Sequence, residues 1–338
     1  VKNMEQLKNG VLVYIEQRGG QVEKVSLELL GKGRELATRL NSTLLAVVIG
    51  YKINACALEA VYHGADRVYV VDEPLLADFM SKPYTKALML VTQAVTPEIV
   101  LIGATSIGRD IAPRLSVCLH TGLTADCTSL EIDETTQGLL MTRPAFGGNL
   151  MATITCPNHR PQMSSVRPGV MLKPTRDVSL KGEVVKFPVK FTPEDKDVEI
   201  LVTMKETAKK VKIEDAKVLV SGGRGMGSVD NMPLLYTLAG ELHGEVSGTR
   251  AVIESGWLDK DLQVGQTGKT VRPDLYLACG ISGAIQHVSG MEESGLIIAV
   301  NLNPTAPIFE VADLGIVGDV TKILPLVNKE LLALKTNS

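Results

Sequence analysis

The stretch KVLVSGGRGMG, residues 217–227, decides the fold. Three apolar residues, Val218, Leu219 and Val220, stop abruptly at glycines that enclose one arginine. A short apolar run bounded in this way reads as a strand buried on both faces, the kind found in parallel sheets. The same change recurs in SGTR (247–250), GQTGKTVRP (265–273), GISGAIQH (280–287), NLNPTAPIF (301–309) and ADLGIVGD (312–319). Each cluster sets glycines beside a hydroxyl, amide or cationic side chain where an apolar run ends. In an open α/β sheet, ligands sit beyond the carboxyl ends of the strands. Glycine lets the backbone approach a ligand closely, and helix N-termini offer free N–H groups to anions. Several such clusters within one short region call for a large anionic cofactor held by many loops.

The alternation of strand and helix extends both ways from this stretch. Downstream, residues 231–243 read as a helix capped by Asp230 or Ser228, with Pro233 in its first turn. Residues 274–279, 296–300 and 315–317 read as strands, and 320–334 as a closing helix that Pro325 kinks or restarts. Upstream, residues 10–16, 44–50, 67–71 and 98–103 read as buried strands. Helical spacing occupies 26–40, 54–63, 84–95 and 106–119, the last with Ser106 as its N-cap. Residues 125–132, 139–144, 150–156 and 162–167 are short strand-like runs without helices between them, expected to add an antiparallel or mixed portion. Charge and prolines mark 173–211. The fold class expected is therefore α/β in two domains, each a mainly parallel doubly wound sheet. Their limits are 1–195, with the added short strands, and 215–338, joined by a linker over 196–214.

At 338 residues the chain is long enough for about two domains. Its net charge of −3 argues against a nucleic-acid surface. No run approaches the roughly 20 apolar residues that span a bilayer. The start, VKNMEQLKNGVLVYI, has no positive region leading into an apolar core, so a cytoplasmic location is expected. The five cysteines are scattered without a C-x-x-C pair, which disfavours a metal site.

GQTGKT, GISGAIQH, N-x-N-P-x-A-P-I-F and a terminal G-D together form a long ordered set, and this set resembles the alpha subunit of an electron transfer flavoprotein. GRDIAPRL (108–115), TGLTADC (121–127), RPAFGGNLMATI (143–154) and RPQMSSVRPGV (160–170) resemble the same family's first domain. Those four motifs read as scaffold and subunit interface, with Gly147, Gly148, Arg160 and Arg167 as the residues that could touch a partner or ligand, a choice the sequence does not make. The resemblance implies one FAD in the second domain, making it an FAD-binding domain. It places Arg224 on the FAD, Thr249 and Arg250 beside the flavin ring, and the Thr267 hydroxyl at flavin N5. Gln266 and Gly268 belong to the same loop. Ser282 and Gly283 are expected to begin a helix whose amides, continuing through Ala284 and Ile285, hold the pyrophosphate with the Ser282 hydroxyl. His287, with Gln286 beside it, is implied near flavin O2, and Asn301 and Asp319 near the adenosine part. The family's usual N-x-D is N-x-N here, at Asn303. GQTGKT is not a Walker A loop, because that pattern needs glycine at Gln263.

The resulting expectation is an electron carrier rather than a substrate-transforming enzyme. Arg250, Thr267 and His287 would tune the flavin's redox properties. A separate beta subunit would complete a heterodimer and carry AMP or a second FAD. The carrier would serve acyl-CoA dehydrogenase-type flavoproteins and an acceptor. The alternative is a bifurcating complex that oxidises NADH and reduces ferredoxin together with an acyl-CoA dehydrogenase. Outside the family, the rivals are a nucleotide-binding regulator and an NAD-dependent synthase or deacetylase. No nucleic acid and no membrane span are expected.

Overall fold

The all-apolar runs of the first half become the middle of one sheet in the computed structural model, which describes residues 10–145, 150–196, 198–203 and 212–336. Strands β1 (Val11–Ile15), β2 (Leu44–Gly50), β3 (Arg67–Asp72) and β4 (Ile99–Gly103) pair in parallel. Every residue of β1, β2 and β4 is buried. Cover on both faces explains the lack of polar alternation. Val11, Val13 and Ile15 pack with helices α1 (Lys24–Arg39) and α2 (Asn54–Tyr62). Leu12 and Tyr14 face the other way, toward α3 (Ser81–Val95) and α4 (Ser106–Cys118). The cap of α4 is Thr105 rather than Ser106: Thr105 Oγ1 accepts the Gly108 N–H at 2.9 Å.

The short strand-like runs divide between two sheets. β5 (Leu123–Cys127) belongs to the main sheet, whereas β6 (Ser129–Ile132), β7 (Leu139–Ala145) and β8 (Leu150–Ile154) form a separate antiparallel sheet. β9 (Gln162–Val166), expected in an antiparallel or mixed portion, runs parallel within the main sheet between β4 and β5. Its polar residues are buried because they find partners. Gln162 Oε1 accepts the Leu139 N–H at 2.9 Å, and Ser165 Oγ accepts the Asp126 N–H at 3.1 Å. An edge strand that sequence reading missed, β10 (Glu183–Lys186), pairs with β3 inside the charged stretch. The order is β10-β3-β2-β1-β4-β9-β5. Arg160 pairs with Glu98 and Arg167 with Asp126, so both arginines are held within this unit. Gly147 and Gly148 lie outside the described residues.

The chain reverses direction across this sheet between β1 and β4, where an open α/β sheet forms its ligand crevice. Glu16, directly after β1, is buried, and its carboxylate accepts from the Thr105 hydroxyl beyond β4 and from Arg18 Nη2 at 2.9 Å.

A second all-parallel sheet follows, built from β11 (Val218–Gly222), β12 (Glu245–Gly248), β13 (Leu275–Cys279), β14 (Ile297–Asn301) and β15 (Leu314–Val317). Its order is β12-β11-β13-β14-β15. One face packs on α5 (Met232–Glu241) and α8 (Val320–Thr336) through Val220, Leu235, Leu238 and Leu324. Pro325 sits inside α8 without ending it. The other face buries Leu219, Tyr276 and Ala278 against Ile308 and Met291. The chain divides into two compact units, one holding the described residues through 203 and the other those from 212. Ile213, within the expected linker, is fully buried in the second unit's core.

Candidate functional site

In the second sheet the chain reverses between β11 and β13, and there a cavity of about 810 Å³ lies at the carboxyl ends of the strands. Gly223 and Arg224 reach it from β11, Thr249 and Arg250 from β12, Ile281 and Ser282 from β13, and Asn301 from β14. The volume falls within the range of cofactor pockets. Of the expected site residues, only Gly268, Gly283, Ile285 and Asp319 do not line it.

The GISGAIQH segment crosses the crevice as an extended loop. Its helix, α7 (Ile285–Val288), is only four residues long, so Ser282 and Gly283 precede the helix rather than begin it. Gly283 adopts a φ of 87°, and a Cβ there would lie 2.2 Å from the Ile308 nitrogen. The loop is thereby pressed onto the NPTAPIF segment, and the Ile308 N–H donates to the Ser282 carbonyl at 3.1 Å. The backbone N–H groups of residues 282–286 meet no acceptor among the described residues. A row of unpaired amides is an anion-binding concavity. Arg224, exposed at the cavity, makes no ion pair among the described residues and adds a positive charge.

Two hydroxyls lead into the same space. Thr249 Oγ1 is buried without a hydrogen-bond partner, which suits a group that a ligand completes. Thr267 Oγ1 accepts from Gln263 Nε2 at 2.9 Å, so the Thr267 O–H is left to donate elsewhere. Gln266 ties its loop to the neighbouring one through its N–H and the Gln286 carbonyl, 2.6 Å apart. Lys269 turns to Glu214 at 2.8 Å, consistent with a loop that is no Walker A.

Arg250 opens the short helix α6 (Arg250–Glu254), and its Nε lies 2.6 Å from Glu254 Oε1. Both side chains are exposed and both line the cavity. Sequence reading missed Glu254, although its spacing of four from Arg250 is that of a helical ion pair. It also missed Gln263. Asn301 spends its side chain on the turn after β14, donating to the Ile281 carbonyl at 2.7 Å and accepting the Asn303 N–H at 2.9 Å. Asp319 accepts from the Thr321 N–H at 2.9 Å and from the Thr321 hydroxyl at 2.7 Å, capping α8.

His287 is buried at the cavity wall. Nδ1 lies 3.1 Å from the Val264 carbonyl and Nε2 lies 3.0 Å from the Tyr276 hydroxyl. Burial pushes its pKa down to about 4. Between that value and the ordinary ~6.5, the unfolded chain binds a proton that the native chain refuses. The stability this provides is complete above pH 6.5 and is lost as pH falls toward 4, by roughly 3 kcal/mol at ~1.36 kcal/mol per pH unit. Denaturant unfolding at pH 7 and pH 4.5 should therefore show a larger loss for the native chain than for His287→Phe. Equal losses would show that His287 is not held neutral.

Comparison with known proteins matches both halves. The family model described as electron transfer flavoprotein domain covers residues 11–192, and the electron transfer flavoprotein FAD-binding domain covers residues 212–292. The chain is similar to an electron transfer flavoprotein subunit alpha from Thermoanaerobacterium thermosaccharolyticum, 50% identical over 96% of this chain and 98% of that one. A subunit of the same name from Clostridium acetobutylicum is 52% identical over 94% and 95%. An acryloyl-CoA reductase electron transfer subunit beta from Anaerotignum propionicum is 46% identical over 94% of each.

Proposed function

The chain belongs to the electron transfer flavoprotein family, on its alpha-subunit side, and from that premise we propose that it carries one FAD in the cavity of the second unit. The carrying observation is the cavity itself: a sheet reversal where five consecutive unpaired amides, Arg224 and the unpartnered Thr249 hydroxyl converge. When bound, the flavin supplies one- and two-electron chemistry. The amides of residues 282–286 and the Ser282 hydroxyl hold the pyrophosphate. Arg224 faces the phosphate or adenosine side, and Asn301 shapes the turn beside it. Thr249, Arg250 and Thr267 face the ring, where a guanidinium whose charge is never lost near neutral pH favours electron density on the cofactor. His287 closes the wall behind them.

The chain works as one half of a heterodimer with a beta subunit that holds AMP or a second FAD. It passes electrons between an acyl-CoA dehydrogenase-type flavoprotein and an acceptor. The name of the Anaerotignum propionicum relative, which joins electron transfer to an acyl-CoA reductase, favours that class of partner. No helix among the described residues is long and apolar enough to cross a membrane. The test is co-expression with the beta subunit, followed by a visible spectrum and a count of FAD and AMP per heterodimer. A flavin band that disappears when Ser282 is replaced by glutamate supports the reading. A colourless heterodimer that takes up no added FAD overturns it. Ferredoxin reduction driven by NADH in the same preparation would identify the bifurcating version.

A further inference from the structure

Behind the cavity wall lies a dry group of hydroxyls that the reading above does not use. Tyr276, in the middle strand β13, is fully buried, and so are Ser221 on β11 and Ser247 on β12. Ser221 and Ser247 are directly paired across the β11–β12 ladder. Both hydroxyls are buried near the Tyr276 oxygen and have no hydrogen-bond partner among the described residues. A buried hydroxyl without a partner is costly, so two such serines beside a buried phenol call for an explanation.

We propose that Tyr276 is a positioning residue: its hydroxyl donates to Nε2 of His287 and so holds the ring, in the Nδ1–H form that the Val264 carbonyl selects, at the cavity wall. The geometry leads there in two steps. The Val264 carbonyl 3.1 Å from Nδ1 can only accept, so Nδ1 carries a hydrogen. In the neutral ring Nε2 is then an acceptor, and the Tyr276 O–H at 3.0 Å donates to it. Burial pushes the Tyr276 phenol well above its ordinary pKa, so the donor hydrogen is always present near neutral pH.

The result is a three-point clamp. His287 is tied to β13 through Tyr276 and to the loop containing Gln266 and Thr267 through Val264. Its own backbone N–H donates to the Ala284 carbonyl at 2.8 Å. The ring orientation of His287 and the placement of the Thr267 loop are therefore set together.

The hydrogen-bonding arrangement stands without a ligand. Its consequence for the cofactor rests on the FAD reading proposed above. The test uses the heterodimer with 15N-labelled histidine in this chain, in flavin-free and FAD-loaded forms. In the flavin-free form at pH 7, His287 should show a pyrrole-type Nδ1 and a hydrogen-bonded, pyridine-type Nε2. Tyr276→Phe should move the Nε2 resonance downfield to that of an unbonded pyridine-type nitrogen. Loss of packing alone would not do so. Should Tyr276→Phe not fold, 3-fluorotyrosine at position 276 keeps the shape and strengthens the donor, so Nε2 should move upfield. A pyrrole-type Nε2 in the native protein, or an Nε2 resonance indifferent to these changes, overturns the proposal. If the flavin-free spectra are as expected but added FAD leaves the His287 signals unmoved, Tyr276 keeps its role and the FAD assignment fails instead.

Discussion

Gly283→Ala is expected to give a chain that folds but purifies without flavin. The residue sits at a φ of 87°, where an added Cβ is strained, and that Cβ would lie 2.2 Å from the Ile308 nitrogen and 2.5 Å from its Cα. Real Cβ contacts essentially never fall below 3.0 Å, so backbone must move, and here both sides of the contact are backbone. The left-handed conformation alone costs about 1–2 kcal/mol, and separating two packed segments adds about 1–3 kcal/mol. A domain can survive that loss. The ligand site cannot, because the segments forced apart are the ones that present the unpaired amides of residues 282–286. Losing two charge-assisted hydrogen bonds at roughly 1.5–3 kcal/mol each weakens binding by more than about 100-fold, at ~1.4 kcal/mol per factor of ten. The ratio of flavin to protein absorbance after gel filtration measures this. An unaltered ratio would remove the loop from the site.

Arg250→Ala should keep the fold and lower the flavin's first reduction potential. The guanidinium favours added negative charge on the ring, so removing it makes reduction harder. One charge-assisted hydrogen bond of roughly 1.5–3 kcal/mol corresponds to about 60–130 mV for a one-electron couple, at ~59 mV per factor of ten. The effect belongs near the lower end, because the Glu254 carboxylate, 2.6 Å from Arg250 Nε, already offsets part of the charge. The same ion pair gives the prediction a second sign: Glu254→Gln should raise the potential. Arg250→Lys should recover only part of the loss, since an ammonium cannot reproduce the planar fork. Spectroelectrochemical titration of the three variants decides the matter. An unchanged potential in Arg250→Ala would make Arg250 a surface residue.

Much of this architecture was legible before any coordinates. Strands such as β1, β2 and β4 are covered on both faces, so their apolar runs are uninterrupted and unmistakable. β9 was harder to place because Gln162, Ser164 and Ser165 look like half-exposed positions. Their burial depends on partners such as Asp126 and Leu139, distant in sequence, which no periodicity announces. β10 escaped notice because an edge strand carrying Glu183 and Lys186 reads like the charged stretch around it. At the site, the glycine and hydroxyl clusters were legible because each marks the end of a strand. Tyr276 was not. It reads as an ordinary core aromatic, and its role arises only where β11, β12 and β13 stand side by side. Asn301 and Asp319 show the opposite case, since their side chains are committed to turn and cap hydrogen bonds within the protein.

The two parallel sheets reverse direction in the same manner, so the chain offers two addresses of the kind that dinucleotides favour. Glu16 marks one of them. A resident carboxylate stands at the first crevice, held by the Thr105 hydroxyl and paired with Arg18. The single FAD proposed for the second unit would then be matched, at the first crevice, by a carboxylate that is part of the chain itself.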